Sequence, residues 1–314
     1  DSFSVSQQVV EAFERDNGVS ISFVKSGDAG AALNRAILTK ESPLADVFFG
    51  VDNTFLTRAL DAGIFEAYDS PLLKQVPAEF QLDYENRALP LDYGDVCLNY
   101  DRAYFSAPGL DPPQTLEALT EAQFRGMLVV ENPASSSPGL AFLLLTVKHF
   151  GDPGYLEFWK ALRQNETTVV DGWETAYYVN FSASSGKGAQ PLVVSYATSP
   201  AAEVIYAATP VQEPPTAAIL GPDTCFRQIE FAGILKGSPN RDLARRFMDY
   251  LLGREFQADV PLQMFVYPVR ADGGMPEAFT KFAPSPAAPA SLPPRDIALN
   301  REAWIKAWAE VMLR

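Results

Sequence analysis

The sequence has few of the side chains that enzymes and metalloproteins use for chemistry. It contains one histidine, His149, and two cysteines, Cys97 and Cys225, which do not form a CxxC pair. The GxSxG, GxGxxG and GxxxxGK(S/T) patterns are absent, which argues against nucleophile elbows and phosphate-cradling loops. A histidine-based triad or a multi-histidine metal site needs more histidines than the chain has. We therefore expect neither an enzyme nor a bound metal or other cofactor.

Long apolar runs are also missing. The longest, Leu140 to Val147, is interrupted by Thr146 and is much shorter than the roughly 18 residues that a transmembrane helix needs. The net charge is −14, from 39 acidic and 25 basic residues. A surface this acidic repels nucleic acid and anionic lipid, so neither is an expected partner. The acidity is typical of a solubilising surface and, more weakly, favours a cationic ligand.

The chain of 314 residues is longer than one hydrophobic core usually serves, so two domains are expected. Helical spacing of apolar residues predicts a helix over residues 4–16, and β-branched runs predict strands at 19–24 and 45–50. Strands that alternate with helices indicate an α/β fold with parallel sheets. Such a domain normally opens with a strand, whereas this chain opens with a loop and a helix. We expect a first strand and a removed signal segment before Asp1, with a smaller sheet as the alternative.

Two long extended segments, residues 89–100 and 224–235, flank the second series of strands and helices. We expect them to carry the chain out of one lobe and back. Each holds one cysteine, so antiparallel pairing would make Cys97 and Cys225 neighbours and permit a disulfide in an oxidising compartment. Two unrelated buried thiols are the alternative. The predicted boundaries are 1–93 plus 232–270 for lobe 1, 97–226 for lobe 2, 94–96 and 227–231 for the hinge strands, and 271–314 for a connector and a C-terminal helix packing on lobe 2.

Polar and aromatic side chains follow the ends of the predicted strands, where open α/β sheets bind ligands. These candidates are Asp28, Asp52, Ser136, Ser137, Trp173 and Tyr196. The serines begin a helix and therefore suit an anion, with simple N-capping as an equal alternative. For Trp173 the alternative is core packing, which the preceding Asp171-Gly172 turn disfavours. Asp92 and Asp95 resemble a catalytic carboxylate pair, but polar positions on an extended strand explain them better.

The chain resembles the thiamine-binding subunit of bacterial thiamine ABC importers, a branch of the type II periplasmic-binding-protein fold. The likeness runs through nearly the whole chain. It rests on Asp1-Ser2-Phe3, the Asp28 loop, Ala45-Asp46-Val47 with Asp52-Asn53, Asp92-Tyr93-Gly94, Asn132-Pro133 with Ser136-Ser137-Pro138-Gly139-Leu140, Gly172 to Tyr177, Ser195 to Pro200, and Val266-Tyr267-Pro268-Val269.

The resemblance implies capture of thiamine or its phosphates between two closing lobes, and delivery to the membrane subunits of an ABC permease. Asp28 would accept from the aminopyrimidine, and Trp173 and Tyr196 would pack against the rings, with nearby carboxylates such as Asp52 balancing the thiazolium charge. Ser136 and Ser137 would take the hydroxyethyl end or a phosphate. Tyr177 belongs to the same motif as Trp173. Phe265 stands where relatives carry a tryptophan and would complete the aromatic cage.

The resemblance also implies a monomer in the periplasm or another extracytoplasmic compartment, with a lipid anchor left open. Other readings remain. The same fold binds other small cations, polyamines or iron(III), and Tyr177-Tyr178 would offer phenolates to iron. A hypothesis from another functional class is an enzyme that processes thiamine or a pyrimidine. Such an enzyme would need a free cysteine as its nucleophile.

Overall fold

The computed structural model describes residues 3–26, 29–107, 109–185, 187–270 and 272–314. The helices are α1 (Gln7–Asn17), α2 (Ala29–Leu38), α3 (Leu56–Ala62), α4 (Arg102–Phe105), α5 (Ser137–Phe150), α6 (Gly154–Gln164), α7 (Trp173–Thr175), α8 (Ser182–Ser185), α9 (Ser199–Ile205), α10 (Arg241–Leu251), α11 (Arg254–Gln263), α12 (Glu277–Phe282) and α13 (Pro294–Met312). The strands are β1 (Val47–Asp52), β2 (Phe65–Glu66), β3 (Leu89–Asp101), β4 (Leu128–Glu131), β5 (Thr168–Val170), β6 (Leu192–Tyr196), β7 (Thr216–Ala218), β8 (Cys225–Leu235) and β9 (Tyr267–Pro268). A π-helical turn at Ala176–Asn180 follows α7, and 3₁₀ turns lie at Leu73–Gln75, Ala78–Phe80, Glu117–Thr120 and Ala122–Phe124.

The chain divides into two compact units. The first comprises Asp1–Tyr93 and Gln228–Pro276, and the second comprises Gly94–Arg227 and Glu277–Arg314. The backbone passes from one unit to the other inside β3 and returns inside β8. Two α/β units connected through two long strands confirm the predicted fold class.

The first unit is built on antiparallel pairing with β8. This strand pairs with β1, where Val47 faces Ile234, and with β2, where Phe65 faces Leu235. The amphipathic helices α3, α10 and α11 bury their apolar faces in the same core as this sheet. Helix α1 begins at Gln7, three residues after the predicted start, and the Ser6 hydroxyl caps it by accepting from the Val9 amide.

The strand predicted at residues 19–24 is wrong. Residues 19–26 have no regular secondary structure, and they line a cavity of about 500 Å³ together with residues of β1. An extended segment becomes a strand only when a neighbouring strand accepts and donates its backbone hydrogen bonds. The described partner of β1 is β8, and residues 19–24 form no strand beside it. Phe23 and Val24 are about half exposed.

The second unit contains the parallel part of the architecture. Strand β4 pairs in parallel with β5 and with β6, and β6 pairs antiparallel with β3. Helix α5 is buried over most of its length and packs against α6, which in turn contacts α13. Trp159 meets Trp308 edge-to-face at a centroid distance of 5.6 Å. Trp304 and Trp308 of α13 therefore pack in the core of this unit.

A disulfide and a buried ion pair lie close together in the second unit. Cys97 on β3 is bonded to Cys225 on β8 across 128 residues of sequence, which confirms the predicted disulfide. Beside it, the Arg227 guanidinium donates to both carboxylate oxygens of Asp95 at 2.7 and 3.0 Å. Ser285 donates to the same carboxylate. These bonds tie three distant parts of the chain.

Within the described residues, no helix combines the length and apolar character needed to cross a bilayer.

We expect the double variant Cys97→Ser/Cys225→Ser to unfold more easily than the oxidised protein. Removing a cross-link that closes a loop of this length lowers the free energy of unfolding by about 3–5 kcal/mol. Urea unfolding followed by circular dichroism measures the difference, and reduced wild-type protein is the matched control. Two free thiols per chain in the denatured, non-reduced wild type would contradict the disulfide.

Candidate functional site

Trp173 lies just past the carboxyl end of β5 and is held by a hydrogen bond to strand β6. Its indole nitrogen donates to the Ser195 hydroxyl on β6 at 2.9 Å, and the Ser195 and Ser199 hydroxyls are bonded at 2.8 Å. The ring is half-buried, whereas both serines are buried. The side chain of Trp173 is therefore fixed in orientation while part of its ring stays accessible.

Two tyrosines complete an aromatic cluster with Trp173. The Tyr177 ring stacks on the indole with centroids 5.0 Å apart and planes inclined by 17°. Tyr178 meets the indole edge-on at 5.3 Å. Tyr177 is only 3% exposed, whereas Tyr178 is 56% exposed. Tyr177 thus backs Trp173 from inside, and the faces of such rings attract flat or cationic molecules.

The hydroxyl of Tyr177 is buried near Glu203 and Thr216. Burial, followed by the nearby Glu203 carboxylate, raises the pKa of Tyr177 well above its usual value. Neither this hydroxyl, nor Glu203 Oε1, nor the Thr216 hydroxyl has a partner with hydrogen-bond geometry in the described part of the chain. Burial and then Glu203 also raise the pKa of Tyr178. Both phenols stay protonated, and a carboxylate stands behind the rings.

Sequence reasoning missed Ser195, Ser199 and Glu203 as contributors to this cluster. Ser199 and Glu203 are four residues apart on α9, so they share one helix face. The four-residue spacing of Ser199 and Glu203, directly after a strand that ends in Tyr196, is the sequence feature that could have identified them. Glu203 supplies negative charge beside the rings, which suits a cation.

Tyr196 ends β6 but faces away from Ser195, because successive side chains of a strand point to opposite faces. Its ring packs against the larger core of the second unit, whereas the neighbouring Ser195 bonds Trp173. Its carbonyl accepts from Asn99 at 3.1 Å. The structure therefore joins Trp173 and Tyr177 in one stack and sets Tyr196 on the other face of the strand.

The serine run begins α5, and Ser136 is its N-cap. The Ser136 hydroxyl accepts from the Gly139 amide at 3.3 Å, and Ser137 is the first helical residue. Ser135 donates to the carbonyl of Asp171 at 2.7 Å. This bond ties the start of α5 to the loop that carries Trp173. Capping accounts for Ser136, while the half-buried Ser137 lies at the positive end of the helix dipole.

Two further candidates lie in the first unit. Asp52 ends β1, is 1% exposed, and accepts from the Thr54 amide and from Gln228 Nε2, each at 2.8 Å. Phe265 is half-buried between α11 and β9, with a left-handed backbone at φ 57°. Asp28 lies outside the described residues.

The paired-carboxylate reading of Asp92 and Asp95 has no support in the structure. The carboxylate of Asp95 forms an ion pair with Arg227 and accepts a hydrogen bond from Ser285. Burial raises the pKa of Asp95, and Arg227 and Ser285 oppose that rise. Both cysteines are in a disulfide. In the part of the chain that the structure describes, no group of three histidine, cysteine, aspartate or glutamate side chains is placed to hold a metal.

Comparison with known proteins places this arrangement in a class. The solved structure of a periplasmic thiamin binding protein superposes with a TM-score of 0.84 at 30% identity, covering 100% of this chain and 94% of that one. The ferric binding protein from Campylobacter jejuni superposes with a TM-score of 0.77 at 19% identity, covering 97% and 95%, which shows the fold alone. Two α/β units, with side chains presented at the carboxyl ends of parallel strands, define a binding protein of the type II periplasmic fold.

Sequence comparison gives the family. Residues 42–298 match the family described as bacterial extracellular solute-binding protein, and the chain belongs to that family. The thiamine-binding periplasmic protein of Brucella suis biovar 1 (strain 1330) is 31% identical over 304 residues, which cover 96% of this chain and 85% of that protein. The thiamine-binding periplasmic protein of Escherichia coli (strain K12) is 30% identical over 316 residues, which cover 98% and 88%.

We expect Gly139→Ala to destabilise the protein by about 1–3 kcal/mol, because overpacking forces backbone shifts. A Cβ at position 139 would lie 2.6 Å from the carbonyl oxygen of Glu131. The loss outweighs the gain of about 1 kcal/mol that alanine brings to a helix. Gly172→Ala is the matched control, since it has extended backbone and nothing within 4 Å of an added Cβ. Urea unfolding compares the two variants, and equal stabilities would refute the close contact.

Proposed function

We propose that this protein captures thiamine in an extracytoplasmic compartment by lobe closure and passes it to the membrane subunits of an ABC importer. The observation that carries the proposal is the Trp173 and Tyr177 stack with Glu203 beside it. Thiamine has flat rings and a fixed positive charge. A cation over an aromatic face gains about 0.5–2 kcal/mol, and a nearby carboxylate adds to this attraction. The two relatives described above are named for binding the same vitamin.

The remaining site assignments are part of this proposal. Ser137, at the positive end of α5, is the candidate contact for the hydroxyethyl group or for a phosphate of thiamine phosphate. Asp28, Asp52 and Phe265 are the candidates on the first unit, and Tyr196 is a further candidate on the second. We propose that the protein acts as a monomer and catalyses no reaction. The disulfide supports the last point, because it leaves neither cysteine as a thiolate nucleophile.

We expect Trp173→Ala to weaken thiamine binding at least tenfold, about 1.4 kcal/mol, because the variant loses the accessible indole face. Isothermal titration calorimetry at micromolar protein measures the change. Tyr84→Ala is the matched control, since that ring is 96% exposed and belongs to no candidate site. Circular dichroism checks that both variants are folded.

Two outcomes would count against this assignment. Unchanged affinity in folded Trp173→Ala would show that the site lies elsewhere. The absence of heat with folded wild-type protein would refute thiamine as the ligand.

A thermal-shift panel separates thiamine from the other ligand classes. We expect thiamine to raise the unfolding temperature, since a ligand at 100 times its Kd adds about 2.7 kcal/mol to stability. Thiamine monophosphate and diphosphate test the phosphate contact, and spermidine and iron(III) test the rival classes. A larger shift with iron(III), together with a visible charge-transfer band, would favour an iron-binding function instead.

A further inference from the structure

Two tryptophans of the second unit donate their indole nitrogens to buried hydroxyl groups. Trp159 donates to Thr146 at 2.9 Å, and both of these side chains are buried in the core. Trp173 donates to Ser195 at the same distance, but its ring is only half-buried. A core ring is held by packing on every side, whereas a ring with an accessible face depends more on its hydrogen bond. The two bonds therefore have the same chemistry in different settings.

The hydroxyl that receives the Trp173 indole is itself bonded to a second hydroxyl. The Ser195 and Ser199 oxygens lie 2.8 Å apart, and the two residues are 0% and 6% exposed. We call Ser195 and Ser199 the serine pair. The Ser199 hydroxyl accepts from the Tyr196 amide at 3.3 Å. Because an indole N–H can only donate, Ser195 accepts from Trp173. The pair is therefore fixed at both ends by N–H donors.

The end of β6, which carries the serine pair, is held by β3. Ser195 lies opposite Cys97 in the register of these strands, and Cys97 is bonded to Cys225 on β8. Ala197 packs in one buried cluster with both cysteines, and its amide donates to the Asp95 carbonyl at 2.8 Å. The base of the serine pair is thus cross-linked to two other strands, and the pair extends this rigid support to the indole.

We propose that the serine pair is a positioning element for thiamine binding, which holds the Trp173 ring in the orientation that the ligand meets. This inference rests on the proposed function, in which the accessible face of Trp173 contacts thiamine. Ser195 and Ser199 are positioning residues, because they act on the ligand through the indole. A side chain that is fixed before binding loses little rotational freedom when the ligand arrives, and this raises affinity.

Ser195→Ala should weaken thiamine binding about threefold to tenfold, which is the usual net contribution of one hydrogen bond. The variant leaves the indole nitrogen without its acceptor and frees the ring to rotate. Thr146→Val is the matched control, since it removes the same kind of bond from the core residue Trp159. The control should lower stability and leave the affinity unchanged. Urea unfolding measures the stabilities, and calorimetry measures the affinities.

Ser199→Ala tests the serine pair from its other end. This variant keeps the Ser195 acceptor but removes the hydroxyl that fixes it. It should weaken binding at least about twofold, and by less than Ser195→Ala does. It also keeps the test decisive where Ser195→Ala does not fold. Wild-type affinity in folded Ser199→Ala would contradict a role for the pair.

A double-mutant cycle shows whether Ser195 acts through the indole. Trp173→Phe keeps an aromatic ring but has no N–H to donate. In that background, Ser195→Ala should change the affinity for thiamine by less than about twofold, which is the range of additive effects. Equal losses in both backgrounds would show that Ser195 acts independently of Trp173, and would overturn the inference.

Fluorescence without ligand reports the freedom of the Trp173 ring. The emission of each protein minus that of its Trp173→Phe counterpart isolates the signal of this one tryptophan. Its steady-state anisotropy should be lower in Ser195→Ala than in wild type, because the ring gains rotational freedom. Thr146→Val should keep the wild-type value. The same anisotropy in Ser195→Ala and wild type would show that the serine pair does not fix the ring.

The outcomes distinguish the two proposals. Thiamine binding with equal affinity by wild type and by folded Ser195→Ala overturns the positioning role and leaves thiamine as the ligand. The absence of thiamine binding by folded wild type overturns the proposed function, and the positioning role with it.

Discussion

The parallel pairing of β4 with β5 and β6 is the constraint on which the second unit's candidate site depends. Parallel strands leave the sheet at a common edge, so the loops that follow them begin side by side. One loop opens α5, the next carries Trp173, and the third supplies Ser199. The hydrogen bonds from Ser135 to Asp171 and from Trp173 to Ser195 follow from that shared edge. A shift in the β4 register would separate these groups.

Buried acids in this protein are stabilised in two different ways. Asp95 is 0% exposed but pairs with Arg227 through two hydrogen bonds. Asp92 and Glu131 are equally buried and have no partner for either carboxyl oxygen among the described residues. Burial raises the pKa of Glu131 well above its usual value, as it does for Asp92. An unpaired buried polar group costs about 1–3 kcal/mol, and burial of the charged form costs more. Glu131 ends β4, the strand that leads to Ser136 and Ser137, and perturbed pKa values of this kind cluster at functional sites.

Local sequence patterns predicted secondary-structure elements better than they predicted contacts between distant residues. Helical spacing placed α1 within a few residues of its observed bounds, because apolar periodicity records which face is buried. The β-branched run at 19–24 failed, since strand formation needs a partner strand that no local pattern supplies. In the candidate site, the Gly172-Trp173 turn was predictable from its position after a strand. Glu203 was not, because its role depends on α9 packing next to Tyr177.

The sequence alone determined the α/β class, the two long connecting strands, and the aromatic residues that follow strands. Each of these depends on composition or on neighbours within a few residues. Only the tertiary structure decided that Tyr177 backs Trp173, that Tyr196 faces the other side of β6, and that Asp52 meets Gln228 across 176 residues. Such contacts depend on strand register, and a shift of one residue reverses every side chain. Register is set by the packing of the whole sheet, which no short segment encodes.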